Sequence, residues 1–402
     1  MSATPPHGNV RLYLVAGEHS GDALGAKLIA ALRRRLGDRL VLGGVGGEDM
    51  EKQGGFTSDF PMSDVAVMGP LSILRHLPRI VTRVYETVDR AIRFNPDTVV
   101  IIDSPEFTHP IAKRIRKRRP DIPIIDYVSP SVWAWRPGRA RKMHPYVDHI
   151  LGLLPFEPAA HERLGGPPCT YVGHSLAERL DWLAALDPAP LATRLGVDPK
   201  RPVVAVLPGS RSSEVGRLME PFGDALRIVC EQGPVPEVLI PCVPHMRARI
   251  EHLRKGWPVR AHIVEGEDDK FRAFKLARAA FAASGTVTLE LALAGTPMVV
   301  AYRVDPLAAP FLRRMIKAPT TVLANLVLGE NAIPEFHQEK ATAENLAGAL
   351  LPLLTDTPAR AAQLAALARI PDIMRFEGPS PSDAAAGIVV DYALRRRGVA
   401  YR

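Results

Sequence analysis

The chain has 402 residues, of which 47% are hydrophobic and 23% charged, with 51 Lys and Arg against 43 Asp and Glu. That length exceeds one ordinary hydrophobic core and suits two domains, while the composition excludes a disordered chain. Cys169, Cys230 and Cys242 form an odd set with neither disulfide-framework nor metal-ligand spacing, and the net charge of +8 is spread over both halves without the basic-aromatic interleaving of a nucleic-acid binder.

Residues 1–7 are expected to be disordered, and the start lacks the basic segment and apolar run of a secretory signal. From Val10 onward short apolar runs alternate with helical stretches, which predicts parallel strands joined by helical crossovers. The strands fall at residues 11–15, 40–45, 98–103, 122–128, 149–154 and 170–172, with helices at 23–36 and 108–118. Residues 71–88 carry Ile73, Leu77, Ile80, Val81, Val84 and Val88 on one helical stripe and Arg75, Arg79 and Arg83 on another, interrupted by Pro78. Such a helix suits either a core face or an anionic lipid surface.

The proline-rich stretch Asp187-Pro-Ala-Pro190 reads as a linker and places a domain boundary at 190/191. Strands follow at 203–207, 237–241, 261–264, 279–282 and 298–301, separated by helices at 215–231, 270–277 and 288–295. The most apolar stretch, 277–301, contains Arg278, Gly285, Glu290, Gly295 and Pro297 and fits buried helix and strand, not a membrane span. A second proline-broken stretch precedes a last helix at 382–397. The domains are therefore 1–190, 191–370 and a helical segment, 371–402, that crosses back to the first domain or to a partner subunit. Basic clusters at 113–119, 136–142, Arg313-Arg314 with Lys317, and 395–397 read as solvated helix ends.

The chemistry concentrates in loops at predicted strand ends. Gly17-Glu18-His19-Ser20-Gly21-Asp22 stands where a dinucleotide fold carries its glycine fingerprint, but its two carboxylates are unwelcome beside a pyrophosphate. Glu18 and Asp22 suit sugar hydroxyls instead, and Gly21 a close backbone approach; alternatively Asp22 caps the next helix. Half a chain later, Leu207-Pro-Gly209-Ser210-Arg211 offers exposed N–H groups and a guanidinium suited to a diphosphate, and Ser284-Gly285-Thr286 opens a second helix in the same way. Glu290, four residues beyond Thr286, is placed for ribose hydroxyls or for a buried acid satisfied by its neighbours.

Asp103 ends an apolar strand at the carboxyl edge, where it can take a proton from an attacking hydroxyl or form a turn before Pro105. Tyr127-Val-Ser-Pro-Ser-Val-Trp133-Ala-Trp135-Arg136 offers hydroxyls and indoles for a sugar or acyl group, or for packing between domains, and His174 reads as structural. No Asp-x-Asp metal motif stands at a strand end, which favours a mechanism without metal or other cofactor.

Read in order, residues 16–22, 65–69, 103–107, 127–135, 207–211, 283–286 and 298–303 closely resemble the lipid-A-disaccharide synthase family, over about residues 10 to 350. The resemblance implies an α/β fold of two Rossmann-like parallel-sheet domains facing a central cleft, the GT-B type. It implies an inverting glycosyltransferase that moves 2,3-diacylglucosamine from its UDP donor to 2,3-diacylglucosamine 1-phosphate, giving a β-1,6-linked disaccharide 1-phosphate and UDP. By the same resemblance Asp103 and Arg211 are the catalytic acid and arginine, Glu18 is the first-loop glutamate, and Asn325 and Gln338 line the donor pocket. Peripheral attachment to the inner face of the cytoplasmic membrane and homodimers exchanging C-terminal segments are implied too. Departures occur at His19, Glu106 and Ala324, outside the core chemistry. Other enzymes acting on UDP-N-acetylglucosamine, a 2-epimerase included, and a non-catalytic nucleotide-sugar or lipid binder are the rival readings.

Overall fold

A computed structural model describes residues 8–66, 70–305, 319–378 and 380–398, without the side chains of 70–75. The expectations on residues 1–7, on 67–69, on the side chains of Ile73 and Arg75, and on the cluster Arg313, Arg314 and Lys317 lie outside the described residues. The chain gathers into two compact units. One comprises residues up to Ser175 together with those from Phe376 onward, and the other is Leu176–Arg375.

In the first unit β1 (Val10–Ala16), β2 (Leu40–Val45), β3 (Thr98–Ile102), β4 (Ile124–Tyr127), β5 (His149–Gly152) and β6 (Cys169–Tyr171) form a parallel sheet in the order β2-β1-β3-β4-β5-β6. Residues alternate between the faces of β1. Leu12, Leu14 and Ala16 pack with Leu28 and Leu32 of the helix His19–Leu36, whereas Tyr13 and Val15 pack with Val84, Val88 and Ile111. Burial on both faces explains why these strands read as unbroken apolar runs. The fourth strand is shorter than 122–128 because Pro123 has no N–H for a ladder and Val128 turns to φ 89°. The helix expected from residue 108 begins at Pro105, since proline suits the first helical turn.

The helix Pro381–Arg396 lies on the same face, where Ala385, Ala386, Val389, Val390, Ala393 and Leu394 join the cluster containing Leu28 and Leu32. Each buried Val or Leu contributes roughly 1.5–3 kcal/mol. Its basic end is tied down as well, Arg396 to Asp121 at 2.6 Å and Arg397 to Asp97 at 2.8 Å.

The second unit holds β7 (Val203–Leu207), β8 (Glu237–Pro241), β9 (Ala261–Val264), β10 (Ala279–Ala283), β11 (Met298–Tyr302) and β12 (Glu335–His337) in the order β12-β11-β10-β7-β8-β9, again parallel. It begins at residue 176, ahead of the expected boundary at 190/191. The reason is visible in its packing: Trp182 meets Phe271 edge-on at 5.4 Å, and the Lys275 ammonium donates to the carbonyls of Leu183, Ala184 and Leu186 at 2.7–3.0 Å. The proline-rich stretch at 187–190 therefore lies inside the unit. In each sheet the order reverses beside the unit's first strand, between β1 and β3 and between β7 and β10. Ligand crevices of open α/β sheets form at such points.

Candidate active site

At the first reversal point, β1 and β3 run side by side with Ala16 opposite Ile102, so the loops that follow them meet. Asp103 is half-buried there. Its Oδ2 accepts from the Ser20 hydroxyl at 2.7 Å and its Oδ1 from the Ser104 N–H at 2.8 Å, while its own N–H donates to the Tyr127 carbonyl at 3.0 Å. Asp103 and Ser104 adopt φ 54° and 46°, a left-handed conformation that costs a non-glycine residue on the order of 1 kcal/mol or more. The close fit depends on glycine, because a Cβ at Gly21 would stand 3.0 Å from the Ile102 carbonyl oxygen and one at Gly17 2.8 Å from the Ser104 hydroxyl. Glu18, exposed, is the N-cap residue of the helix His19–Leu36. Next to these loops a cavity of about 760 Å³ is lined by His19, Gly46, Gly47, Glu48, Phe60 and Met62 among others.

At the second reversal point the loops after β7, β8, β9 and β10 enclose a cavity of about 520 Å³. Gly209, Ser210, Arg211, Ser284, Gly285, Thr286 and Glu290 all line it, together with Glu214, Cys242, Gly266 and Lys270. The polar groups are paired. Arg211 binds Glu214 at 2.8 Å, Lys270 binds Glu290 at 3.0 Å, and Glu214 also accepts from the N–H groups of Ser210 and Arg211 at 3.2 and 3.3 Å. Glu214, in the first turn of the helix Ser212–Gln232, thus ties back to the N-cap residue Arg211. Gly209, at φ 109°, has no room for a Cβ, which would fall 2.4 Å from that carboxylate. Ser284 donates to the Thr321 carbonyl at 2.8 Å, and Thr321 in turn binds Glu335. Burial alone would raise the Glu335 carboxyl, but hydrogen bonds from His337, Thr320 and Thr321 outweigh it and hold the pKa at about 2.

The family model for lipid-A-disaccharide synthetase matches residues 12–387. The lipid-A-disaccharide synthase of Rhodopseudomonas palustris (strain HaA2) is 51% identical over 382 residues, covering 95% of this chain and 96% of that protein. The chain belongs to the lipid-A-disaccharide synthase family. Among solved structures, S. aureus MnaA with UDP aligns at TM-score 0.62 and 12% identity over 98% of this chain and 99% of that one. Acinetobacter baumannii MurG aligns at TM-score 0.58 and 13% identity, over 95% and 99%. At those identities the likeness concerns the fold, which is the GT-B type of two parallel-sheet α/β units.

In this synthase-family member the geometry separates the sequence candidates. Seven of them line the second-unit cavity, and Ser20, Gly21 and Asp103 meet at the first reversal point. Asp22 lines the first-unit cavity and also braces the fold. It is buried, and its two carboxylate oxygens accept from the N–H groups of Gly47, Asp49 and Met50 at 2.8–3.1 Å, tying the segment after β2 to the helix after β1. It does not cap a helix from residue 23, because that helix already begins at His19. Asn325 is buried as well, and its amide is spent on both backbone groups of Ile333 at 2.9 Å. Gln338 accepts from the Val304 N–H at 3.0 Å, and neither it nor Asn325 lines the cavity.

The stripe on the helix Pro70–Phe94 divides, with Val84 and Val88 buried and Leu77 and Val81 about half exposed, as is Tyr85 outside the stripe. Two of its arginines, Arg79 and Arg83, are spent on Asp64, each at 2.6 Å. His174 is held neutral, since burial pulls its pKa down to about 4. Residues 212–214 read as a helix N-cap segment, which Glu214 bears out by accepting from the Arg211 N–H. Sequence reasoning missed the place of Glu214 in the cavity and missed Lys270, which shows itself only once β9 stands beside β8.

Proposed function

We propose that the chain joins two acylated glucosamines into the lipid A disaccharide, transferring 2,3-diacylglucosamine from UDP to the 6-hydroxyl of 2,3-diacylglucosamine 1-phosphate. The observation that carries this reading is the placement of Asp103, an acceptor-ready carboxylate fixed at the reversal point by Ser20 and Ser104. Asp103 takes the proton of the attacking hydroxyl as that oxygen displaces UDP from the anomeric carbon with inversion. Arg211 leaves Glu214 for the departing diphosphate and stabilises its growing charge, helped by nearby backbone N–H groups; an exposed ion pair of this kind is worth under about 1 kcal/mol, so exchanging partners is cheap. Lys270 and Glu290, which line the same cavity, take the ribose hydroxyls in this reading.

Replacing Asp103 by Ala should abolish disaccharide formation while UDP affinity, measured by calorimetry, survives. Equal loss of both would make the residue structural and end this reading.

The acylated substrates and the exposed Leu77, Val81 and Tyr85 support peripheral attachment at the inner face of the cytoplasmic membrane. Among the described residues no helix is long and apolar enough to cross a membrane. Co-sedimentation with anionic vesicles should fall when Leu77 and Val81 become Ser, and unchanged binding would remove this face from the proposal. A homodimer exchanging the Pro381–Arg396 helix would reuse the contacts it makes within its own chain, and sedimentation velocity tests for it.

A further inference from the structure

Beneath the segment that follows β4 lies a group of buried titratable side chains that the proposed reaction leaves unused. The helix Glu157–Leu164 presents Glu157 and His161, one turn apart and both buried, toward this segment. His161 Nε2 lies 2.7 Å from the Ser129 hydroxyl, and the other ring nitrogen has no partner among the described residues. The Glu157 carboxylate accepts from the Trp133 indole N–H at 3.4 Å and from the Leu154 N–H at 3.0 Å, while Phe156 meets the Trp133 ring edge-on at 5.2 Å. Room for that carboxylate comes from Gly152, where a Cβ would stand 2.9 Å from Glu157 Oε2.

The clamped segment is under strain. Val128 and Arg136 bracket it at φ 89° and 51°, and a β-branched residue keeps such a conformation only when its surroundings impose it. It also starts beside the reacting carboxylate, because the residue before it, Tyr127, is the one whose carbonyl holds the Asp103 N–H. Ser131 and the partly exposed rings of Trp133 and Trp135 then offer a hydroxyl and amphipathic surfaces at the same sheet edge, the chemistry that recognises a sugar.

We propose that Glu157 and His161 are positioning residues for the acceptor sugar: from below, they fix the 129–135 segment so that the acceptor hydroxyl lies against Asp103. This rests on the reading of Asp103 as the base. The groups facing Glu157 are Trp133 from the segment, Asp126 from β4, and Cys169 and Tyr171 from β6, while His161 on the same helix faces Asp126. Burial holds its carboxyl up at about 7 and holds the His161 imidazole neutral. The charged form of Glu157 is the better acceptor for the two N–H groups, so the grip on Trp133 loosens as pH falls through about 7.

The test is steady-state kinetics of Trp133→Phe, which keeps the ring against Phe156 and removes only the N–H, beside Glu157→Gln, with 2,3-diacylglucosamine 1-phosphate as acceptor. Both should raise the acceptor KM by about tenfold and leave kcat and UDP affinity within twofold of the parent. The parent's acceptor KM should climb below pH 7, a dependence that Glu157→Gln loses. An unchanged acceptor KM in Trp133→Phe overturns the proposal, and so does a loss shared equally by kcat and UDP affinity. Failure of the base assignment would show separately, as turnover surviving in Asp103→Ala.

Discussion

The two reversal points are built from opposite materials. At β7 and β10 the polar groups are side-chain ion pairs, Arg211 with Glu214 and Lys270 with Glu290, and the exposed Arg211 guanidinium can exchange its partner for a ligand at little cost. At β1 and β3 the carboxylate is set by left-handed backbone at Asp103 and Ser104, by glycines packed against the neighbouring strand, and by hydroxyl and amide donors. A diphosphate is a large charge that leaves after each turnover, and exchangeable cations suit it. A proton transfer needs an acceptor already in place, and fixed geometry supplies that.

The sharpest way to break this contrast is Asp103→Asn, which keeps the acceptor for the Ser104 N–H, turns an amide donor toward the Ser20 hydroxyl, and removes basicity. Turnover should fall by about 10²-fold to 10⁴-fold with UDP affinity intact. Asp22→Ala should act on the scaffold instead, leaving three N–H groups without their acceptor and lowering unfolding free energy by about 3 kcal/mol in urea titrations. On the exchangeable side, Arg211→Ala should weaken UDP by about 30-fold, from losing a charge-assisted contact worth about 2 kcal/mol.

The Glu157 carboxyl gives a pH-dependent prediction. Its pKa is higher in the folded state, so the protonated form's stabilisation is complete below the unfolded value of 4.5 and is lost as pH rises through about 7. Glu157→Gln, neutral throughout, should therefore gain on the parent across that window, by up to about 3 kcal/mol in melting experiments. The smallest effect belongs to Glu214→Gln, which removes a negative charge beside the bound diphosphate and should tighten UDP by about threefold. A weakening there would mean that the hold of Glu214 on the Ser210 and Arg211 N–H groups, not the repulsion, dominates.

Much of this was legible in the sequence because it is local. A strand ending in glycine and small residues, with an acid or arginine directly after it, announces both its fold and its place at the sheet edge, as Asp103 and Leu207-Pro-Gly-Ser-Arg211 do. What escaped depends on distant partners. The bracing role of Asp22 escaped because its N–H donors stand 25 to 28 residues away, and that of Asn325 because it holds Ile333 eight residues on. The boundary at 190 followed proline, whereas the unit is decided by where Trp182 and Leu183 find their packing, on the helix Glu267–Leu276.

The return of the chain to its first unit sets an order of assembly. The second unit is one continuous stretch, so during synthesis it has all its strands once residue 337 has been made. Its predecessor must wait with Leu28 and Leu32 uncovered until Val389 and Leu394 emerge. A ribosome stalled before residue 381 therefore presents a sticky, unfinished amino-terminal unit, and a deletion of the last helix leaves the protein in that condition permanently.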